Sequence, residues 1–166
     1  MIEVKGDLFT YYKDNPCDAI VITTNGFVKA NGRAVMGRGC AKEALSLMPE
    51  IDKKLGDNIA RMGNMVSFLR SRVISFPVKG VSKLCTNEND YVGHMNFKIG
   101  DTIPGWACKA ELSIIERSAN ELVSIVPDSW KDIIIPRPGC GAGELRWSEV
   151  KEVLGVLDDR FKIITW

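Results

Sequence analysis

Apolar and polar positions alternate between short continuous runs and longer periodic stretches. Ala19-Ile20-Val21-Ile22-Thr23 is unbroken and β-branched, the pattern of a strand covered on both faces. Ile133-Ile134-Ile135 repeats it. Ile2 to Val4 reads as a short edge strand, punctuated by Gly6-Asp7. Val66 to Leu69 and Val73 to Phe76 read as strands with Arg70-Ser71 between them, and Phe161 to Trp166 supplies a last one. Residues 39–62 read as helical. Ala41, Ala44, Leu45 and Met48 share one face, and after Pro49 the stripe resumes at Ile51, Leu55, Ile59 and Met62. Residues 107–126 carry the clearest helical stripe, through Leu112, Ile115, Ala119, Leu122 and Val126, until Pro127 stops it. Ser148 is placed to cap a final helix whose inward residues are Val150, Val153, Leu154 and Leu157. Strands alternating with helices predict an α/β three-layer domain with a central mixed, mostly parallel sheet. Ligands of such sheets sit beyond the carboxyl ends of the strands.

Lys79 to Gly105 breaks this rhythm. It is polar, rich in Asn, Asp and Gly, and has no clear period. A structureless loop of that length is uncommon, so it reads as an extra hairpin or a mobile lid. It carries Tyr91, His94 and the approach to Trp106.

A chain of 166 residues accommodates one domain, expected over 1–166 with the 79–105 stretch as an insertion. Its 45% hydrophobic and 26% charged residues exclude a disordered chain. Twenty-two basic against 21 acidic residues leave a net charge of +1, which gives no global case for binding nucleic acid or an acidic membrane. Met1 to Thr10 alternates charged and apolar residues, unlike a signal peptide, and no apolar run is long enough to span a bilayer. Cys17, Cys40, Cys85, Cys108 and Cys140 form no C-x-x-C pair, and His94 is the one histidine. No structural metal, disulfide framework or cofactor is expected, and a reducing cytoplasm and a monomer are.

The chemistry concentrates in two glycine-rich loops. The first follows the 19–23 run and leads through Asn25, Asn31 and Met36-Gly37-Arg38-Gly39-Cys40-Ala41 into a helix. The second follows 133–135 as Pro136-Arg137-Pro138-Gly139-Cys140-Gly141-Ala142-Gly143-Glu144. Glycines let backbone N–H groups approach a ligand, and helix N-termini attract anions, so two such loops predict a diphosphate-bearing ligand. The P-loop and the G-x-G-x-x-G fingerprint are both absent: Lys42 and Glu144 fall where the third glycine of the latter belongs.

These residues resemble the macrodomain family of ADP-ribose-binding α/β/α modules. The likeness rests on Gly6-Asp7-Leu8-Phe9, on Asn25, on Met36 to Ala41, and on Pro136 to Gly141 with Leu145 and Trp147. It is nearest to the branch of the terminal ADP-ribose protein glycohydrolase, the DNA de-ADP-ribosylating antitoxin macrodomains and the ADP-ribose 1''-phosphate phosphatases. The resemblance implies that Asp7, beside Leu8, meets the adenine amino group and that Asn25 meets the distal ribose. It also implies that the Gly37–Ala41 and Gly139–Gly143 backbones wrap the diphosphate and ribose. The glycohydrolase lysine, which attacks the anomeric carbon, falls near Trp106 or Ala107 here, and its aspartate falls on Gly143. Asn25, Asn31, Glu144 and His94 are the remaining catalytic candidates, with Trp106 as a stacking residue, while Cys40 and Cys140 read as packing residues at the loops. The implied partner is ADP-ribose or an ADP-ribosylated macromolecule, with nucleic acid entering only as a modified substrate. Hydrolysis of an ADP-ribosyl linkage or of ADP-ribose 1''-phosphate is one reading. Non-catalytic binding or sequestration of such a ligand is the alternative, and a nucleic-acid-binding protein a further one.

Overall fold

The computed structural model describes residues 1–166. In chain order the elements are β1 (Ile2–Lys5), α1 (Leu8–Asp14), β2 (Ala19–Thr24), α2 (Gly39–Leu47), α3 (Ile51–Met62), β3 (Ser67–Arg70), β4 (Val73–Pro77), β5 (Ser82–Leu84), β6 (Thr102–Pro104), α4 (Leu112–Ile125), β7 (Ile133–Pro136), α5 (Trp147–Val153) and β8 (Phe161–Thr165).

Six strands form the central sheet in the order β1-β8-β7-β2-β4-β3. Every pairing is parallel except that of β3 with β4. Alternation along the strands divides the core in two. Ala19, Val21, Ile133, Ile135 and Ile163 face α4 and α5, whereas Ile20, Ile22, Ile134 and Ile164 face α1, α2 and α3. The result is an α/β/α sandwich with a mixed, mostly parallel sheet. Each of the fully buried isoleucines contributes about 1.5–3 kcal/mol by leaving water.

The helices depart from expectation in four places. Helix α1 carries no long stripe and buries only Leu8 and Phe9; Asp7 caps it by accepting from Thr10 N at 2.8 Å. Helix α4 begins at Leu112 rather than 107, after a short 3₁₀ turn over Gly105–Ala107. Helix α5 begins one residue before Ser148, with Arg146 at the cap position, so Ser148 caps nothing; Leu157 lies beyond the helix but is buried. Met62, expected to face inward at the end of α3, is 51% exposed.

The 79–105 stretch contains the small antiparallel hairpin β5–β6 and a 3₁₀ turn over Glu88–Asp90, and its Cys85 and Ile103 form a separate core with Ala107 and Cys108 just beyond it. Its stem is narrow: a Cβ on Gly105 would stand 1.9 Å from the Gly80 carbonyl oxygen. No helix is long and apolar enough to cross a membrane.

Candidate functional site

Because β1, β2, β4, β7 and β8 run parallel, their carboxyl ends open on one edge of the sheet. A cleft of about 600 Å³ lies there. Its walls are the residues that follow each strand: Gly6–Phe9 after β1, Asn25 after β2, Val78 and Lys79 after β4, the second glycine loop after β7, and Trp166 after β8. Met36 to Ala41 supply the facing wall, and Trp106, 37% exposed, stands at the rim.

The glycines of the two loops divide by what surrounds them. A Cβ on Gly37 or Gly141 would meet nothing within 4 Å, so both present bare backbone to the cleft. Gly139 has a φ of 73°, and a Cβ there would stand 2.9 Å from Ala110 and Ile115. On Gly143 it would stand 2.5 Å from the Gly139 carbonyl. These two shape the loop; the other two leave room for a ligand.

Lys79, a lysine after a strand end that does not match the lysine position implied by the resemblance, lies in the wall of this cleft. It is 6% exposed, and its Nζ donates to the carbonyls of Ala142 at 3.0 Å and Trp106 at 3.3 Å. Burial pushes its ammonium below the ordinary lysine value, with the like charge of Arg38 adding to the effect against the opposing pull of Cys108 and Glu144. The two carbonyls take two of the Lys79 N–H donors. Neither Trp106 nor Ala107 carries an amine, but Lys79, two residues beyond β4, reaches the Trp106 backbone through space. A lysine two residues beyond a fully buried strand, near where β2 has Asn25 and β7 its glycine loop, is the signal the sequence carries.

No family model and no curated protein matches the chain. Solved structures do match. The macrodomain of Mycobacterium tuberculosis DarG has a TM-score of 0.67 at 18% identity, covering 98% of this chain and 95% of that one. The macrodomain of Thermus aquaticus DarG gives 0.64 at 19%, with the same coverage. Thermosipho africanus DarTG in complex with ADP-ribose gives 0.63 at 17%, covering 98% of this chain but 41% of that one. The chain has the macrodomain fold.

Within the cleft the expected ligand residues Asp7, Leu8, Asn25, Met36 to Ala41, Arg137, Gly139 to Gly143 and Trp106 all line the wall, whereas Pro138 does not. Asn25 shapes the first glycine loop as well, donating to Val35 O and accepting from Phe27 N, both at 2.9 Å. Three catalytic candidates lie outside the lining. Asn31 is exposed and accepts from Arg33 N at 3.1 Å, a turn contact that holds it away from the cleft. His94 sits on the insertion, where Arg38 donates to its Nδ1 at 3.1 Å. Glu144 turns toward the same insertion, accepting from Gly93 N at 2.8 Å.

Cys40 and Cys140 line the cleft, but burial pushes both thiols up, which removes the thiolate a nucleophile needs. No three His, Cys, Asp or Glu side chains come together to hold a metal ion.

Proposed function

We propose that this macrodomain binds ADP-ribose or a close derivative and hydrolyses the bond at its distal ribose, with Lys79 as the nucleophile. The observation that carries the reading is a buried amine, depressed toward its neutral form, in the wall of a cleft with two bare-backbone glycine stretches. Support for the ligand comes from the fold shared with Thermosipho africanus DarTG, whose structure holds ADP-ribose. The Gly37–Ala41 segment offers the free N–H groups of the α2 N-terminus to the diphosphate.

In this reading the Lys79 lone pair attacks the anomeric carbon and the bond to the acceptor breaks, its electron pair leaving with the acceptor. The amine gives up a proton to solvent. Water then adds to the same carbon, the carbon–nitrogen bond breaks, and Lys79 returns as the free amine with ADP-ribose released. The Ala142 and Trp106 carbonyls orient Nζ before the step, which lowers the cost of alignment.

A second reading, binding without turnover, has its own observation. Gly143 stands where the resemblance places an aspartate, and the 2.5 Å approach to Gly139 O leaves no room for a side chain. One experiment separates the readings. Titration with ADP-ribose is followed by product analysis on ADP-ribosylated protein, ADP-ribosylated DNA and ADP-ribose 1''-phosphate. Turnover that disappears in Lys79→Ala, with an ADP-ribosyl adduct on Lys79 by mass spectrometry, supports hydrolysis. Binding without turnover of any substrate supports the second reading, and no binding overturns both.

A further inference from the structure

Two consecutive residues of the insertion reach the two glycine loops. Gly93 N donates to Oε1 of Glu144, which directly follows the second loop, at 2.8 Å. The next residue, His94, accepts at Nδ1 from Nη1 of Arg38 in the first loop, at 3.1 Å. Arginine has no acceptor, so the direction of that bond is fixed. Arg38 forms no carboxylate ion pair; His94 is its one side-chain partner. Glu144 lies two residues beyond Ala142, whose carbonyl accepts from Lys79 at 3.0 Å, and Arg38 and Lys79 line the same cleft.

Glu144 carries a second mark. Its φ is 61°, one of only two positive values outside glycine in the chain. Left-handed backbone costs a side-chain-bearing residue energy, and such strain persists where the surroundings hold it. Here the holders are Gly93 N and, at 3.7 Å, the Lys109 ammonium. The neighbouring Gly143 carbonyl accepts from Ala110 N, and the Ala142 carbonyl, one residue earlier, accepts from Lys79.

We propose that Gly93-His94 is a strap that fixes the spacing of the two glycine loops, with Glu144 as its anchor and a positioning residue for Lys79. It rests on the reading that the cleft holds ADP-ribose. The strap replaces the catalytic role expected for Glu144 and His94 at the sequence level. With the strap seated, the loops close on the ligand and Ala142 O stays aligned with the amine; with it released, the loops separate and the ligand escapes.

The test uses the full chain with ADP-ribose as the probe, read by the fluorescence of Trp106 and Trp166, which line the cleft. In stopped-flow measurements Glu144→Gly releases ADP-ribose about tenfold faster, the scale of one lost charge-assisted hydrogen bond, while its Tm holds or rises because glycine suits the left-handed position. Glu144→Gln, whose amide oxygen still accepts from Gly93, stays within about twofold of the parent. His94→Ala shifts release in the same direction by a smaller factor. Release at the parent rate from both Glu144→Gly and His94→Ala overturns the strap. If the parent binds no ADP-ribose, the functional reading fails separately, and amide exchange at Gly93 decides the strap. Protection in the parent that is lost in Glu144→Gly supports it, and equal exchange overturns it.

Discussion

Nζ of Lys79 and the carbonyl oxygen of Ala142 lie 3.0 Å apart across 63 residues of sequence, so the end of β4 and the second glycine loop form one unit. Replacing Lys79 by alanine is expected to lower turnover by about 10³-fold or more, the scale of a lost nucleophile, with the circular dichroism spectrum unchanged.

The pH dependence follows from the same residue. Burial lowers the folded-state pKa of Lys79 below its ordinary value of 10.5. The amine is the reactive form, so the rate rises with pH through that lowered pKa and levels off above it. A kcat profile that climbs only at the ordinary lysine value contradicts the assignment, and Lys79→Ala must lack the limb altogether.

The two classes of glycine predict opposite phenotypes. Gly37→Val and Gly141→Leu project into open cleft space, so ADP-ribose binding is lost while Tm stays within a few degrees. Gly139→Ala combines a φ of 73° with contacts of 2.9 Å, and destabilises the fold by about 1–3 kcal/mol. Calorimetric titration and thermal melts on the three variants check both halves.

Asp90 anchors the insertion. It accepts from Thr86 N at 2.6 Å, Thr86 Oγ1 at 2.7 Å and Asn87 N at 3.1 Å, and pairs with Lys83 Nζ at 3.1 Å. The Thr86 hydroxyl, with the Thr86 amide and Lys83 beside it, holds this carboxyl well below the usual carboxylate range. A depressed carboxylate pKa stabilises fully above its unfolded value and fades as pH falls below it. Asp90→Asn should therefore increase hydrogen exchange over residues 82–104 at neutral pH. The gap from the parent should hold down to about pH 4 and narrow below it.

The cysteines offer a negative prediction. Burial pushes all five thiols up. Iodoacetamide at neutral pH should label the native protein slowly, and Cys40→Ser and Cys140→Ser should retain turnover within about threefold.

Sequence pattern made the sheet legible because β2 and β7 are unbroken β-branched runs that can only be buried strands. It made the cleft legible because glycine loops at strand ends announce themselves locally. Helix α1 escaped notice because seven residues with two half-buried tyrosines make no stripe. The insertion's hairpin was legible only as one of two alternatives, beside a lid, because each strand is three residues long and β5 is exposed throughout. Lys79 is visible as a lysine after a strand end, but its contacts are not, for a different reason. Its partners are backbone carbonyls 27 and 63 residues away, and a carbonyl oxygen belongs to every residue, so nothing in the side-chain alphabet records the contact.

At the narrow stem of Gly80 and Gly105, residues 81–104 join the rest of the chain covalently at one place, while Gly93 and His94 reach the glycine loops through space. Chain enters and leaves where two backbones nearly touch, so a segment of almost any length can be exchanged there for little more than the slowly growing entropy of a longer loop. The Asp7 end of the cleft does not share that junction. A chimera joining Gly80 to Gly105 through a short turn would thus strip the Lys79 end of its insertion and leave the opposite end intact.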